Sequence, residues 1–198
     1  MTYSLGEVEA LCRKAARGAG FSWGMADEAG KTARWLCRQG LPGAAALAGY
    51  LDTEQKTTGP DDPSGSVWSA SGPLCPLICG TLLSDLGAAS VERRLHELAC
   101  PILFLPHVGH HMTLSWDKVA CCIYEDLHIE GDPMTPLASL ATMTQAQKIE
   151  GTPCTPTTRA MLAPDVLSTL TRFAARTYAP ETDASKLSGA GAGLTDED

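Results

Sequence analysis

Three groups of side chains in this chain have the types and spacing to do chemistry. The first is Asp126, His128 and Glu130, which alternate with Leu127 and Ile129. On a continuous strand they would share one face, about 6–7 Å from one to the next. A histidine between two carboxylates could take up and return a proton. Glu125 interrupts the apolar face, so Glu125-Asp126 marks either a bulge or a tight turn between two shorter strands. The second group is His107-x-x-His110-His111, which with Cys75-x3-Cys79 or Cys121-Cys122 could supply zinc ligands. The spacing is not a standard zinc pattern, and adjacent histidines on a strand point to opposite faces. No metal is therefore expected. The third group is the C-terminal segment carrying Ser185, Lys186, Gly189, Gly191, Gly193, Asp196 and Asp198. Glycine lets a backbone approach another surface closely, and the carboxylates can anchor it there. It is not a nucleotide-binding loop, because that fingerprint needs a strand before it and a helix after it.

A catalytic cysteine would sit best at Cys75 or Cys79, which prolines and a glycine surround, yet no local sequence resembles a nucleophile signature. The chain also lacks G-x-S-x-G, a Walker-type loop and H-E-x-x-H, and nothing in it requires a cofactor.

Composition narrows the classes further. The net charge of -8 and the absence of a Lys/Arg run argue against binding a phosphate backbone, so no nucleic-acid partner is expected. The longest uncharged apolar region, Leu74–Leu83, is too short to span a bilayer and contains Pro76 and Gly80. No signal peptide precedes the first amphipathic segment. These features predict a cytoplasmic protein whose eight cysteines (12, 37, 75, 79, 100, 121, 122 and 154) are reduced thiols.

The elements that must position these groups follow from periodicity. Ser4-x-x-Glu7 is a capping box for a first helix, with Lys14 and Arg17 near its end and Gly18-Ala19-Gly20 as its stop. Ser22 caps a second helix running to about Arg38, with Ala26, Ala29, Gly30, Ala33, Leu36 and Cys37 as its buried stripe. Ala44–Leu51 forms a third, and small residues let the three pack closely. Residues 53–66 read as a loop, and Pro73–Leu86 as a helix. Ser90–Leu98 reads as another helix on the spacing of Val91, Leu95 and Leu98. Ile102–Leu105, apolar throughout between two prolines, reads as a buried strand. Met112–Ser115 and the alternating stretch from Val119 add further strands. Pro136–Ile149 is ambiguous, since Leu137, Leu140 and Met143 suit a helix while Ala141–Thr144 could pair as an edge strand. A last helix starts near Pro164 and ends near Thr177-Tyr178.

Both ends of the chain resemble a bacterial family, domain of unknown function 3726. At the N-terminus the likeness lies in Gly6-Glu7-Val8-Glu9-Ala10-Leu11, then Lys14–Gly20, then Trp23-Gly24. At the C-terminus it lies in Arg176–Pro180, Ser185-Lys186, Gly189–Gly193 and Asp196-Glu197-Asp198. Where the family pattern has arginine after the tail serine and asparagine between the final aspartates, this chain has Lys186 and Glu197. The resemblance implies a bacterial, soluble, single-domain protein and supplies no catalytic residues. A fainter likeness of the first two helices to lactate/malate-type dehydrogenases without a Rossmann fold carries no cofactor over.

The expected fold class is α+β: a helical lobe over 1–52, a loop over 53–66, and a mixed core over 67–180. That core holds a small, mostly antiparallel sheet and a C-terminal helix, and a Gly-rich acidic tail follows over 181–198. The expected function is that of a small cytosolic binding or accessory protein of bacterial metabolism. It would be a homodimer, or would contact a protein partner through the tail. The alternative is a small metabolic enzyme using Asp126, His128 and Glu130 for acid/base chemistry, with Lys14 and Arg17 holding an anionic substrate.

Overall fold

The computed structural model describes residues 1–53, 56–146, 149 and 151–178. The binding residues expected in the tail (Ser185, Lys186, Gly189, Gly191, Gly193, Asp196 and Asp198) lie outside the described residues. The fold is α+β. The chain opens with β1 (Thr2–Ser4), α1 (Leu5–Gly18), α2 (Trp23–Arg38) and α3 (Gly43–Asp52), followed by β2 (Val67–Trp68) and α4 (Pro76–Asp85). Then come β3 (Arg93–Ala99), two short 3-10 turns, β4 (Met112–Trp116), β5 (Val119–Ile123), β6 (Leu127–Glu130) and β7 (Leu137–Gln145). It closes with β8 (Thr152–Pro153), β9 (Arg159–Met161) and α5 (Pro164–Ala175).

Local sequence explains the helix starts. The Ser4 side chain accepts from the Glu7 N–H, and the Glu7 carboxylate accepts from the Ser4 N–H at 2.7 Å, so two orphan donors of α1 are satisfied reciprocally. Ser22 caps α2 by accepting from the Met25 N–H. Ser4→Ala should cost about 1 kcal/mol of stability in urea denaturation, the ordinary value of a lost N-cap. A change below about 0.3 kcal/mol would show that tertiary packing alone sets this helix start.

The lobe packs on small residues, as the composition led one to expect. A Cβ added at Gly30 would lie 2.8 Å from the Glu9 carbonyl oxygen, and one at Gly43 would lie 2.5 Å from that of Ala33. Arg34 adds a surface ion pair to Glu9 at 2.7 Å across α1 and α2. A single buried cluster runs from Val8 and Cys12 in the lobe through Trp68, Phe104, Leu114 and Cys121 to Leu170 in α5.

The main sheet has the order β2-β3-β7-β4-β5-β6-β8, with every pair antiparallel except β2–β3. A separate two-stranded pair joins β1 to β9, tying the N-terminus to the segment that leads into α5. Among the described residues no helix is long and apolar enough to cross a membrane.

Three readings of the sequence need correction. Ser90–Leu98 is not a helix; Arg93–Ala99 forms β3. Its alternation breaks at Glu97, whose φ of 52° is left-handed: His96 and Glu97 are both exposed, while Leu98 and Ala99 are both buried. Leu95 and Leu98 therefore face inward three residues apart, which imitates helical spacing. Residues 137–145 form a strand at the interior of the sheet, between β3 and β4, not an edge strand. Ile102–Leu105 is not a strand either. Its residues form two 3-10 turns, Pro101–Leu103 and Leu105–His107, each opened by a segment containing proline.

Candidate functional site

The strand from Val119 is not continuous. The Tyr124 N–H donates to the Asp126 carbonyl at 3.1 Å, closing a tight turn between β5 and β6. Asp126 therefore sits in a turn, while His128 and Glu130 pair across β6 with Cys122 and Ala120. His128 Nδ1 lies 3.4 Å from the Gly151 carbonyl oxygen, and Glu130 is exposed. The expected three-residue row is thus split, with only His128 and Glu130 on one sheet face.

Asp126 instead joins residues from another group. A cleft of about 520 Å³ is lined by Trp35 and Arg38 of α2, Ser84 of α4, His107 and His110, and Glu125 and Asp126. Here His107 is held tightly. Its ring lies against Gly80, where an added Cβ would fall 2.2 Å from His107 Cδ2. His107 Nδ1 is 3.1 Å from Ser84 Oγ, and the same hydroxyl donates to the Gly80 carbonyl at 3.1 Å. A hydroxyl has one proton. With that proton on Gly80, the serine oxygen is left to accept from Nδ1–H, and the buried, unpartnered Nε2 carries only a lone pair. The opposite tautomer would bury an unpaired N–H donor, at greater cost. The pair therefore ties α4 to the 3-10 turn and is not set up as a nucleophile with its base.

Burial pushes the His107 pKa below its ordinary value of 6.5, against a weaker opposing effect of Glu28. On acidification the unfolded chain takes up this proton first. The stability due to neutral His107 is therefore complete above the unfolded value of 6.5 and is lost as pH falls through the lower folded value. His107→Gln should flatten the dependence of urea stability on pH between roughly 7 and 5. An unchanged slope would mean that other groups carry the acid sensitivity.

The other expected metal ligands do not converge. His110 Nδ1 meets the Tyr124 carbonyl at 3.2 Å, and the His111 ring packs edge-on to Tyr124, centroids 5.8 Å apart. Among the described residues no group of three His, Cys, Asp or Glu side chains could hold a metal ion. None of the eight cysteines forms a disulfide. Cys75 accepts a hydrogen bond from the Tyr50 hydroxyl at 3.0 Å, and burial pushes the Cys79 thiol up to about 12. A thiol shifted in that direction is poorly suited to nucleophilic attack.

A second cleft, of about 540 Å³, gathers the cations of the lobe. Arg13, Lys14 and Arg17 of α1 line it with Trp23, Gly24 and Asp27 of α2, and with Thr177 and Tyr178 beyond α5. The helical spacing of 13, 14 and 17 places these side chains on adjoining parts of one helix surface. Arg17 donates to the Phe21 carbonyl at 2.8 Å and lies over the Trp23 ring, 4.8 Å from its centroid. Lys14 lies 5.8 Å from the Tyr178 ring centroid. Arg13 pairs with Asp27 at 3.4 Å. Among the described residues neither Lys14 nor Arg17 has a carboxylate partner, and Trp23 and Tyr178 are 69% and 64% exposed. The arrangement offers two unneutralised cations between two aromatic faces, which suits a planar anion.

The sequence offers Lys14 and Arg17 as holders of an anion, and both line this cleft. Arg13, Trp23, Asp27 and Tyr178 were not singled out for this cleft. The signal for Trp23 was an aromatic residue directly after a helix cap, next to a basic helix end; the position of Tyr178 depends on how α5 packs against α1.

Neither the curated proteins nor the solved structures include a match to the chain. Over residues 3–72, which span most of β1, all of α1 to α3, and β2, the chain matches the family described as Protein of unknown function (DUF3726).

Proposed function

We propose that this is a small binding or accessory protein of bacterial metabolism, acting in the cytoplasm, whose cleft between α1, α2 and the end of α5 holds a small anionic ligand. One observation carries the reading: Lys14 and Arg17 border an open cleft beside Trp23 and Tyr178, with no carboxylate partner among the described residues. The ligand class is a carboxylate or phosphate attached to a planar ring. The ring would lie on the exposed indole and phenol, and the anion would meet the ammonium and guanidinium groups. The enzyme reading has less support, because Asp126 is parted from His128 and Glu130 and His107 is hydrogen-bonded as a structural tie.

The test is calorimetric titration with 1-naphthoate, a planar carboxylate. Two charge-assisted contacts at about 1.5 kcal/mol each amount to roughly a hundredfold in affinity. Lys14→Glu combined with Arg17→Glu should therefore abolish measurable binding, with circular dichroism checking that the variant, which also loses the Arg17 bond to the Phe21 carbonyl, stays folded. Equal binding by the variant and the parent would refute the assignment of the cleft.

A further inference from the structure

This inference rests on the reading of the Arg13–Lys14–Arg17 cleft as an anion site and names what fills it. We infer that the cleft is a recognition surface for an acidic peptide, and that the peptide is the chain's own C-terminal segment. Asp196, Glu197 and Asp198 supply the carboxylates, and Lys14 and Arg17 receive them.

Charge is the first ground. Residues 179–198 contain five carboxylates (Glu181, Asp183, Asp196, Glu197 and Asp198) against the one cation of Lys186. Half of the chain's net charge of -8 therefore follows Tyr178. The cleft has the opposite balance, with Arg13, Lys14 and Arg17 against Asp27. On so acidic a protein such a cluster is a local exception, and it attracts the most negative segment within reach.

Position is the second ground. Tyr178 is both a wall of the cleft and the last residue described before the acidic segment, so that segment leaves from the site itself. Seventeen residues lie between Tyr178 and Asp196. Fully extended they could cover about 55 Å, far more than a return to the same cleft needs. Glycine at 189, 191 and 193 carries no side chain to obstruct a close approach.

The third ground is that several other cations are already engaged. Arg38, Lys56, Arg94 and Lys118 also lack a carboxylate partner among the described residues, but they differ in not sharing a cleft with a second such cation and two exposed aromatic rings. Lys31 pairs with Glu28, Arg34 with Glu9 and Arg172 with Asp52. Arg93 is buried, bonded to the Gly65 carbonyl and stacked on Trp68. Arg159 donates to the Thr2 carbonyl at 3.1 Å. Among the described residues Lys14 and Arg17 stand together on one cleft with no carboxylate paired to either, its one acidic wall, Asp27, being paired with Arg13. Acidic segment and small anionic ligand would then compete for one site, so the ligand meets a cleft that must first be vacated.

The test uses full-length proteins and two probes: a fluorescein-labelled peptide of residues 187–198, followed by anisotropy, and 1-naphthoate. The parent chain is compared with Asp196→Asn/Glu197→Gln/Asp198→Asn, which frees the cleft without shortening the chain. The neutralised chain should bind the peptide at least tenfold more tightly than the parent. Adding Lys14→Glu and Arg17→Glu to it should remove that binding. Equal peptide binding by the parent and neutralised chains overturns the inference. If naphthoate binds in a Lys14- and Arg17-dependent way while the peptide does not bind at all, the inference falls and the anion site stands. If neither probe binds, both fall. A parent dimer that becomes monomeric on neutralisation would place the segment in the cleft of a second copy, overturning its assignment to its own chain.

Discussion

Gly18→Ala should destabilise the fold by about 2–3 kcal/mol and weaken anion binding at the same time. Gly18 closes α1 where α5 crosses it. A Cβ there would lie 1.8 Å from the Phe173 carbonyl oxygen, 2.7 Å from its carbon and 3.4 Å from Arg176 Cβ. The first two obstacles are backbone, so no rotamer change relieves them and the helices must part. The better helix propensity of alanine recovers up to about 1 kcal/mol, less than the clash costs. For a chain of this length the net loss lowers the melting temperature by roughly 5–10 °C. The same displacement moves Tyr178, beyond α5, away from Lys14 and Arg17 on α1, so the cleft loses its shape. Gly6→Ala is the control on the same helix, since nothing lies within 4 Å of a Cβ at that position. It should be neutral or slightly stabilising. If calorimetry gave the two variants equal melting temperatures, the close approach of α1 and α5 would be wrong.

Phe104→Ala should cost about 3–5 kcal/mol. Ile102, Leu103, Phe104 and Leu105 are all 0% exposed, so the junction between the two 3-10 turns is a plug in the core. Truncating the largest side chain of this plug removes its transfer free energy and leaves a cavity that rigid neighbours cannot fill. The urea midpoint should fall with no change in slope. A loss below about 1 kcal/mol would mean that the turn collapses inward, and that the segment is less tightly built than its burial indicates.

Much of the lobe was legible because its signals are local. The Ser4–Glu7 capping box, the Ser22 cap, the Gly18–Gly20 stop and the Pro164 start each depend on residues within one turn of one another. The break between the strands expected at Met112–Ser115 and from Val119 also agrees with the β4–β5 hairpin, where Trp116 pairs with Val119. The strands β3 and β7 were not legible, and the cause lies in their pairing. Leu95 faces Ala141 and Leu98 faces Ala138, so the buried residues on both strands are three apart across the Glu97 break. On β7 the eye goes to Leu137 and Leu140, which are exposed, while the small Ala138 and Ala141 are the buried ones.

By itself, then, the sequence determined the α+β class, the bounds of α1 and α2, the start of α5 and the basic end of α1, because caps, stops and charge runs act over a few residues. Only the tertiary structure decided which groups meet. It parted Asp126 from His128 by a tight turn, tied His107 to Ser84 through the packing of α4, and brought Tyr178 to Lys14 by crossing α5 over Gly18. Such meetings depend on contacts between residues far apart in the chain, and no local periodicity encodes them.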